Sequence, residues 1–430
     1  MQSTAVVGWR CVVCGATVDI SEPMVFKCPK STAADPYHTL QIVQHDERVR
    51  PISGDRNPFL AFQPFFAWDS FAASLGMSEG DRRDLVIEVD TRVAAVDGTG
   101  FVISPFARAD ALSDALGFSA VGGLWIKDET HQVAGSHKAR HLFSTLLALL
   151  VAERNEAAPW GNRIGKRPVL AISSCGNAAI AASTLAAAVE WPIQVFVPPT
   201  ANAALMTRLH ELGATVTVCP RRPHDPPGDP CVLRYREAVS AGAIPFSVQG
   251  PENAWCLDGA RSLGWEMAAV PFDRIFVQVG GGALTRSVIG GLAQSAAKLP
   301  LLHAVQAEGC APLARAWRRA LDGPGGLATA GARWSECMTV WEGEPSSAAD
   351  GILDDETYDW LGIVNGMAAS GGSPVVTSEA HVLQANELSL AHTAINASFT
   401  GTAGLAGLLE IRSQIRDDER VAVIFSGVRR

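Results

Sequence analysis

The chain has 430 residues, of which 47% are hydrophobic and 18% charged, and its net charge is −9. This composition excludes a disordered chain, and the length allows two or three domains. The acidic balance argues against nucleic acid or an anionic membrane as a partner. The apolar stretches are too short or too interrupted to cross a bilayer.

The first residues do not show the pattern of a signal peptide. A basic run followed by an apolar core is missing from residues 1–10, so we expect no signal peptide. The nine cysteines are odd in number and mostly scattered, which does not make a disulfide framework. We therefore expect a cytoplasmic protein with reduced thiols.

Three N-terminal cysteines and one histidine are candidate metal ligands. Cys11 and Cys14 form a C-x-x-C pair, which presents two thiolates to one metal ion. Cys28 follows, and His38 is the candidate fourth ligand. The alternative is a degenerate ribbon with free thiols, because the usual second C-x-x-C is missing. We expect residues 1–45 to form a zinc-ribbon-like module, in which a four-ligand zinc site would be structural.

Lys138 stands where a polar loop meets an apolar helix. The leucines behind it recur at helical spacing, so the far side of this helix is predicted to be buried: Leu142, Leu146, Leu149 and Leu150. A poorly solvated lysine favours the neutral amine, a nucleophile that forms an imine with a carbonyl cofactor. The alternative is a lysine at a helix start that faces water.

From about residue 168, apolar strand patterns alternate with helical stretches. This alternation predicts a parallel sheet with helices on both faces. Ligands of such sheets bind beyond the carboxyl ends of the strands. Those ends carry glycines and small polar residues here: Ser173–Asn177, Gly280–Ala283, Glu308 with Gly309, and Ser426 with Gly427. We expect them to form a single site.

Two strand-to-helix turns are candidate anion sites. The amides of Gly280–Ala283 could wrap a phosphate, although a tight turn without a ligand would look the same. The pattern is neither a dinucleotide fingerprint nor a Walker motif. The second turn, Ser173–Asn177, could hold a carboxylate at a helix start. Serine and asparagine are also ordinary helix caps, and both interpretations can be true.

In this order and context, the lysine loop, Ser-x-Gly-Asn and the triple glycine resemble the fold type II pyridoxal-phosphate (PLP) enzymes. These include threonine synthase, serine and threonine dehydratases, cysteine synthase and the tryptophan synthase β chain. The resemblance extends from about residue 95 to the C-terminus. It implies an α/β fold with two doubly wound parallel-sheet domains. We expect residues 46–430 to be the catalytic region, with a smaller domain inserted at about 140–250, and a homodimer.

The resemblance also assigns roles to single residues. Lys138 would be the Schiff-base lysine and then the acid/base that moves the α-proton. Asn177 would hydrogen-bond the phenolic oxygen of the cofactor, and Ser426 would face its pyridine nitrogen. The phosphate would lie on Gly280, Gly281, Gly282 and Ala283. The substrate carboxylate would lie on Ser173, Ser174, Cys175 and Gly176, where the family usually has serine or threonine in place of Cys175.

These roles imply a PLP-dependent lyase. It would act on a β- or γ-substituted L-amino acid, by elimination and deamination of a serine/threonine-type substrate or by a threonine-synthase-type reaction. One alternative is a β-replacement synthase of the cysteine synthase or tryptophan synthase β kind, and another is a non-catalytic binding protein. A hydroxyl at the ring nitrogen suits elimination and replacement better than transamination. The N-terminal cysteines favour the threonine-synthase and dehydratase side.

Overall fold

The computed structural model describes residues 5–32, 34–46 and 48–430. The strands are β1 Val6–Cys11, β2 Thr17–Asp19, β3 Leu40–Gln44, β4 Phe106–Arg108, β5 Gly123–Asp128, β6 Leu170–Ser173, β7 Ile193–Val197, β8 Thr215–Val218, β9 Ile244–Pro245, β10 Arg274–Gln278, β11 Leu301–Ala307, β12 Ser373–Thr377 and β13 Arg420–Phe425.

The α-helices follow the same chain order. They are α1 Pro58–Ala61, α2 Ala67–Ser74, α3 Glu79–Asp97, α4 Asp110–Ala115, α5 Lys138–Arg154, α6 Asn177–Ala188, α7 Ala203–Glu211, α8 Pro230–Ser240, α9 Cys256–Gly259, α10 Arg261–Met267, α11 Ala283–Ser295, α12 Pro312–Asp322, α13 Trp334–Cys337, α14 Trp360–Ser370, α15 Glu379–His392 and α16 Phe399–Glu410. Within the described ranges, no helix is long and apolar enough to cross a membrane.

The chain divides into two compact units, each discontinuous in sequence. The first unit contains the residues up to Val102, then Gln132–Ala134 and Lys138–Ala260. The second unit contains Ile103–His131, Gly135–His137 and Arg261–Arg430. The boundaries expected from the sequence, at residues 45/46 and at about 140 and 250, remain predictions.

The first unit contains two sheets. One is parallel, with strand order β8-β7-β6-β9, and its strands β6 and β7 are apolar and mostly buried. The other is a small antiparallel sheet, β2-β1-β3, from the cysteine-containing segment. Its central strand buries Trp9 against Trp255, with ring centroids 5.0 Å apart. This contact anchors the N-terminal sheet on the rest of the unit.

The second unit is built on one sheet of order β12-β11-β10-β13-β5-β4. All neighbouring pairs are parallel except β4 with β5 at the edge, a common arrangement in α/β sheets. The central strands are almost completely buried, as expected for strands covered on both faces. The predicted α/β class with parallel-sheet domains is confirmed.

Local differences from the sequence predictions have simple causes. The sequence around the triple glycine predicts a helix from Thr285, and α11 begins two residues earlier, at Ala283, because Gly282 takes a left-handed conformation (φ 99°) and ends the turn there. The apolar run at 244–248 predicts a strand, of which only Ile244–Pro245 (β9) pairs with a neighbour. Strand β12 is one that the apolar pattern does not indicate. A proline inside Ser373–Thr377 weakens its strand signal, and β12 lies at the sheet edge where proline is tolerated.

Candidate active site

Lys138 is the first residue of α5 and is half-buried. The helix behind it is buried from Ala139 to Glu153. The leucines predicted to form its core face are inaccessible, with at most 4% exposure at Leu150. The buried face predicted behind the lysine is therefore confirmed.

The surroundings of Lys138 in the first unit are unusual in two respects. Ala134, four residues before it, has a left-handed backbone (φ 55°), and its amide donates to Asp97 Oδ2 at 3.1 Å. A non-glycine residue in this region stores strain that its surroundings must hold. His141, one turn after Lys138, is completely buried and donates from Nδ1 to the Cys256 carbonyl at 2.6 Å. Burial lowers the pKa of His141 to about 3, and the nearby Lys138 charge acts in the same direction, so the imidazole is neutral.

Asn177 begins α6, which packs against α5 within the first unit. Ser173 and Ser174 before it are half-buried, and Cys175 and Gly176 are exposed. Gly176 is the N-cap residue, and no side chain caps this helix. Of the two interpretations of the turn, capping by serine or asparagine is thus not the one observed. The helix start keeps the positive potential that favours an anion.

In the second unit, Gly280–Ala283 connects β10 to α11, whose start also has no side-chain cap. The segment from Ile352 to Ile363 packs directly on these glycines. A Cβ on Gly280 would overlap the Asp354 carboxylate, and one on Gly282 would lie 2.7 Å from Ile363 Cδ1. Close packing therefore requires glycine here whether or not a phosphate binds, and Asp354 brings a carboxylate to the loop.

Ser426 follows β13, the strand next to β10, so this serine and the glycine loop lie at neighbouring strand ends. The Ser426 side chain is buried, and its hydroxyl accepts a hydrogen bond from Gln278 Nε2 at 2.7 Å. The Ser426 carbonyl accepts from the His137 amide at 3.1 Å and from His137 Nδ1 at 2.9 Å. Because a carbonyl oxygen only accepts, Nδ1 carries the proton of His137.

One polar residue at a strand end has a purely structural contact. Glu308 Oε1, beyond β11, accepts from the Glu379 amide at 2.9 Å, so this carboxylate stabilises the start of α15. Its place in the predicted single site stays a prediction.

The four predicted metal ligands come together in the first unit. The ligand atoms of Cys11, Cys14, Cys28 and His38 all lie within 4.8 Å of one another. His38 Nδ1 lies 3.4 Å from Cys11 Sγ, and its other ring nitrogen lies 3.2 Å from Asp35 Oδ2. A carboxylate behind a histidine ligand is the usual way that proteins orient such a ligand. Two or more thiolates with one imidazole suit zinc.

Sequence reasoning missed two residues that contact the predicted site residues. Gln278 looked like an ordinary residue of a buried strand, and its contacts with Ser426 bridge more than a hundred positions of the chain. Asp354 lies in an irregular segment whose distance from the glycines is invisible in a single sequence. The one available signal for Gln278 was a polar residue at the end of an apolar strand, two positions before the first glycine of the loop.

Comparison with known proteins now adds an independent result. The sequence model of the family described as "Pyridoxal-phosphate dependent enzyme" matches residues 99–427. A search of curated protein sequences finds no significant match.

Solved structures with the same fold are numerous. Maize serine racemase is 18% identical with a TM-score of 0.59, over 80% of this chain and 92% of that one. Threonine deaminase isoform 2 from Solanum lycopersicum is 17% identical with a TM-score of 0.60, over 83% and 92%. Diaminopropionate ammonia lyase from Escherichia coli is 15% identical with a TM-score of 0.60, over 82% and 89%. At these identities the likeness shows the fold alone.

Proposed function

Because the chain belongs to the family of pyridoxal-phosphate dependent enzymes, we propose that it is a lyase acting on a β- or γ-substituted L-amino acid. The observation that carries this proposal is the combination of a lysine that opens a buried helix with a neutral hydroxyl, Ser426, at the end of a central strand. Similar solved structures include a threonine deaminase and two ammonia-lyases, which supports elimination chemistry. Others are racemases.

In the first unit, Lys138 would carry the cofactor and Asn177 would donate to its phenolic oxygen. Both residues begin helices, and these helices pack against each other. Ser173, Ser174, Cys175 and Gly176 would receive the substrate carboxylate. The uncapped start of α6 supports this, since its amides and dipole favour an anion.

In the second unit, Gly280, Gly281, Gly282 and Ala283 would hold the phosphate and Ser426 would face the ring nitrogen. The uncapped start of α11 fits a phosphate in the same way as α6 fits a carboxylate. The Ser426 hydroxyl already accepts from Gln278, so its proton is available for a ring nitrogen. The donor set of this unit therefore fits the group.

When bound, pyridoxal phosphate supplies an electron sink for the charge that develops at the substrate α-carbon. The neutral amine of Lys138 would accept the α-proton as general base. Ser426, as a neutral partner, does not enforce a protonated ring, and the milder sink favours loss of a β or γ substituent over transamination. Neutral His141 behind Lys138 adds no competing charge.

Product analysis tests the reaction class. We expect purified holoenzyme to release ammonia and a keto acid, or phosphate, from one member of a panel of L-serine, L-threonine, 2,3-diaminopropionate and O-phosphohomoserine. Chiral analysis of the remaining substrate separates a racemase, and product formed only when a thiol or amine is added identifies a replacement synthase. Either result would overturn the lyase proposal.

The role of Lys138 has a matched control. Lys138→Ala should abolish turnover, whereas Lys166→Ala, an exposed lysine of the same unit, should leave turnover unchanged. Full activity of the folded Lys138→Ala protein would remove the mechanism.

A separate proposal concerns the cysteine cluster, which we infer to be a structural zinc site formed by Cys11, Cys14, Cys28 and His38. Four protein ligands leave no open position for chemistry. The ligand atoms already converge, so binding would link β1, the turn after it and the segment before β3.

Metal analysis tests this site. Purified protein should contain stoichiometric zinc, and Cys14→Ser should lose it, whereas Cys337→Ser, a buried cysteine of the second unit, should retain it. A chelator should lower the unfolding temperature without bleaching the bound cofactor. Metal-free wild-type protein of full stability would contradict the assignment.

A further inference from the structure

Gln278 is a buried glutamine whose amide group faces an unusual set of oxygens. It ends β10 and is 4% exposed. Its Nε2 lies 3.1 Å from the Thr400 carbonyl, 3.0 Å from the Gly401 carbonyl and 3.1 Å from the Ile424 carbonyl. The fourth neighbour of this nitrogen is the Ser426 hydroxyl oxygen, at 2.7 Å.

The three carbonyls fix which end of the amide faces Ser426. A carbonyl oxygen has no proton to donate, so the atom facing three of them must be the donor nitrogen. In the reversed orientation, the amide oxygen would face three backbone oxygens and leave both amide protons elsewhere in a buried environment, which is costly. The orientation of Gln278 therefore follows from the backbone around it.

This orientation restricts the hydroxyl of Ser426. An amide nitrogen donates and does not accept, so the Ser426 proton cannot point at Gln278. The shortest of the four contacts is the one to Ser426, whose oxygen therefore acts as an acceptor on that side. In the described residues, no acceptor for the Ser426 proton is found. The serine backbone is held independently, because His137 donates twice to the Ser426 carbonyl.

We propose that Gln278 is a positioning residue that turns the Ser426 hydroxyl into a donor toward the ring nitrogen of the cofactor, which rests on the function proposed above. A donating hydroxyl requires a lone pair on that nitrogen, so Gln278 favours the unprotonated ring. A protonated ring would make Ser426 accept twice and leave its own buried proton without an acceptor, which is costly. Through Ser426, Gln278 thus keeps the electron sink mild.

The first test uses the wild-type holoenzyme loaded with pyridoxal phosphate that carries an isotope label at the ring nitrogen. The nuclear magnetic resonance shift of this nitrogen distinguishes a neutral, hydrogen-bonded ring from a protonated one. We expect a neutral, hydrogen-bonded signal throughout the pH range in which the holoenzyme is stable. A protonated ring nitrogen at neutral pH would overturn the proposal without any variant.

The second test removes the amide. Gln278→Met removes the donor that holds the Ser426 oxygen as an acceptor, so the hydroxyl is no longer turned toward the ring and the ring signal should shift toward that of a neutral nitrogen without a hydrogen bond, as in Ser426→Ala. The double variant should match Ser426→Ala, because Gln278 acts only through that hydroxyl. Asn386→Leu is the control for loss of a buried amide in the same unit, since Asn386 Nδ2 donates to the Ala397 carbonyl at 3.0 Å. It should lose stability and keep the wild-type signal.

The outcomes separate this inference from the proposed function. A shift in Ser426→Ala with a wild-type signal in Gln278→Met would refute the role of Gln278 alone. A wild-type signal in Ser426→Ala would refute the place given to Ser426, and with it the proposed site. If Gln278→Met does not fold, Gln278→Asn gives the same comparison, because the shorter amide cannot span the distance to Ser426.

Discussion

Two lysines eleven positions apart in the chain lie in opposite environments. Lys127 is completely buried, with Nζ 2.5 Å from Glu266 Oε2 and 2.6 Å from the Ser104 carbonyl. The amine of Lys127 is thus engaged by a carboxylate and a carbonyl and has no access to solvent. Lys138 is half-buried at a helix start. The choice of Lys138 over Lys127 as the proposed nucleophile therefore depends on the surroundings of each side chain.

Cys175 offers a test of the proposed carboxylate contact. A thiol is a poor hydrogen-bond donor, and a hydroxyl in its place would add about one ordinary hydrogen bond to the substrate. We expect Cys175→Ser to lower KM about fivefold at unchanged kcat. Cys175→Ala should keep the wild-type KM, because the thiol contributes little. Equal KM values for all three proteins would show that the substrate does not touch this position.

The Asp354 carboxylate beside Gly280 leads to a prediction about affinity. A phosphate on the glycine loop would lie close to this negative charge, and like charges repel. We expect Asp354→Asn to bind pyridoxal phosphate several-fold more tightly, with the difference shrinking at high salt. Glu344→Gln removes one exposed charge nearby in sequence and should leave the dissociation constant unchanged. Weaker binding in Asp354→Asn would place the phosphate elsewhere or show that Asp354 holds the loop.

At the scale of single residues, the sequence predicted features whose signal is local and missed residues whose contacts join distant parts of the chain. The buried helix behind Lys138 and the convergence of three cysteines with His38 were predictable because spacing and local pattern carry their signal. Gln278 and Asp354 were not, because their roles arise from contacts with distant segments that only the fold brings together. The direction of a hydrogen bond, such as the one from Gln278, can be assigned only when all the atoms around the amide group are known.

At the scale of elements, the N-terminal sheet is an integral part of the first unit. Trp9 on β1 is 1% exposed and packs edge-to-face on Trp255. Val7 on the same strand points outward. Next to Trp255, the carbonyl of Cys256 accepts from His141, one turn beyond Lys138. The sheet is thus connected by direct contacts to the helix that Lys138 begins.

This connection predicts a large stability cost for a single tryptophan. Trp9→Ala should lower the free energy of unfolding by about 3 kcal/mol, as expected for removing a buried aromatic side chain. Val7→Ala should cost less than about 0.5 kcal/mol, since that side chain is exposed. Urea denaturation of both variants measures the difference. Equal costs would mean that the sheet does not pack on Trp255 in solution.

Elements with a strong local pattern were predictable, and the edge strands β4 and β12 were not. The buried strands β10 and β13 were recognisable as continuous apolar runs that end in small polar residues. Edge strand β4 has three residues and pairs antiparallel with β5, which no periodicity indicates. The segment from Ile352 to Ile363, which packs on the glycine loop, shows no periodic apolar pattern, so the sequence could not predict where it lies.

At the scale of the whole molecule, an ion pair makes stability depend on pH. Both Glu153 oxygens accept from Arg167, at 2.8 and 2.6 Å, and Trp160 donates to the same carboxylate. Although burial raises the pKa of Glu153, these hydrogen bonds outweigh it and hold the pKa below its ordinary value. The stabilisation is therefore present above the unfolded-state value and is lost as pH falls through the folded-state value.

Glu153→Gln should accordingly destabilise the protein by about 3 kcal/mol at neutral pH, because it leaves the buried Arg167 without its counter-charge. The difference from wild type should shrink as the pH falls below the ordinary pKa of a glutamate and through the lowered pKa of Glu153. Urea unfolding at pH values on both sides of this point measures it. A difference that stays constant with pH would mean that the carboxylate is not ionised in the folded protein.

The central claim is that the amine of Lys138 is covalently joined to pyridoxal phosphate. The most direct measurement is borohydride reduction of the holoenzyme, followed by proteolysis and mass spectrometry of the peptides. We predict that the near-visible absorbance disappears and that the reduced cofactor is found on the peptide containing Lys138. Cofactor mass on another lysine, or an unmodified Lys138 in protein saturated with cofactor, would contradict the account.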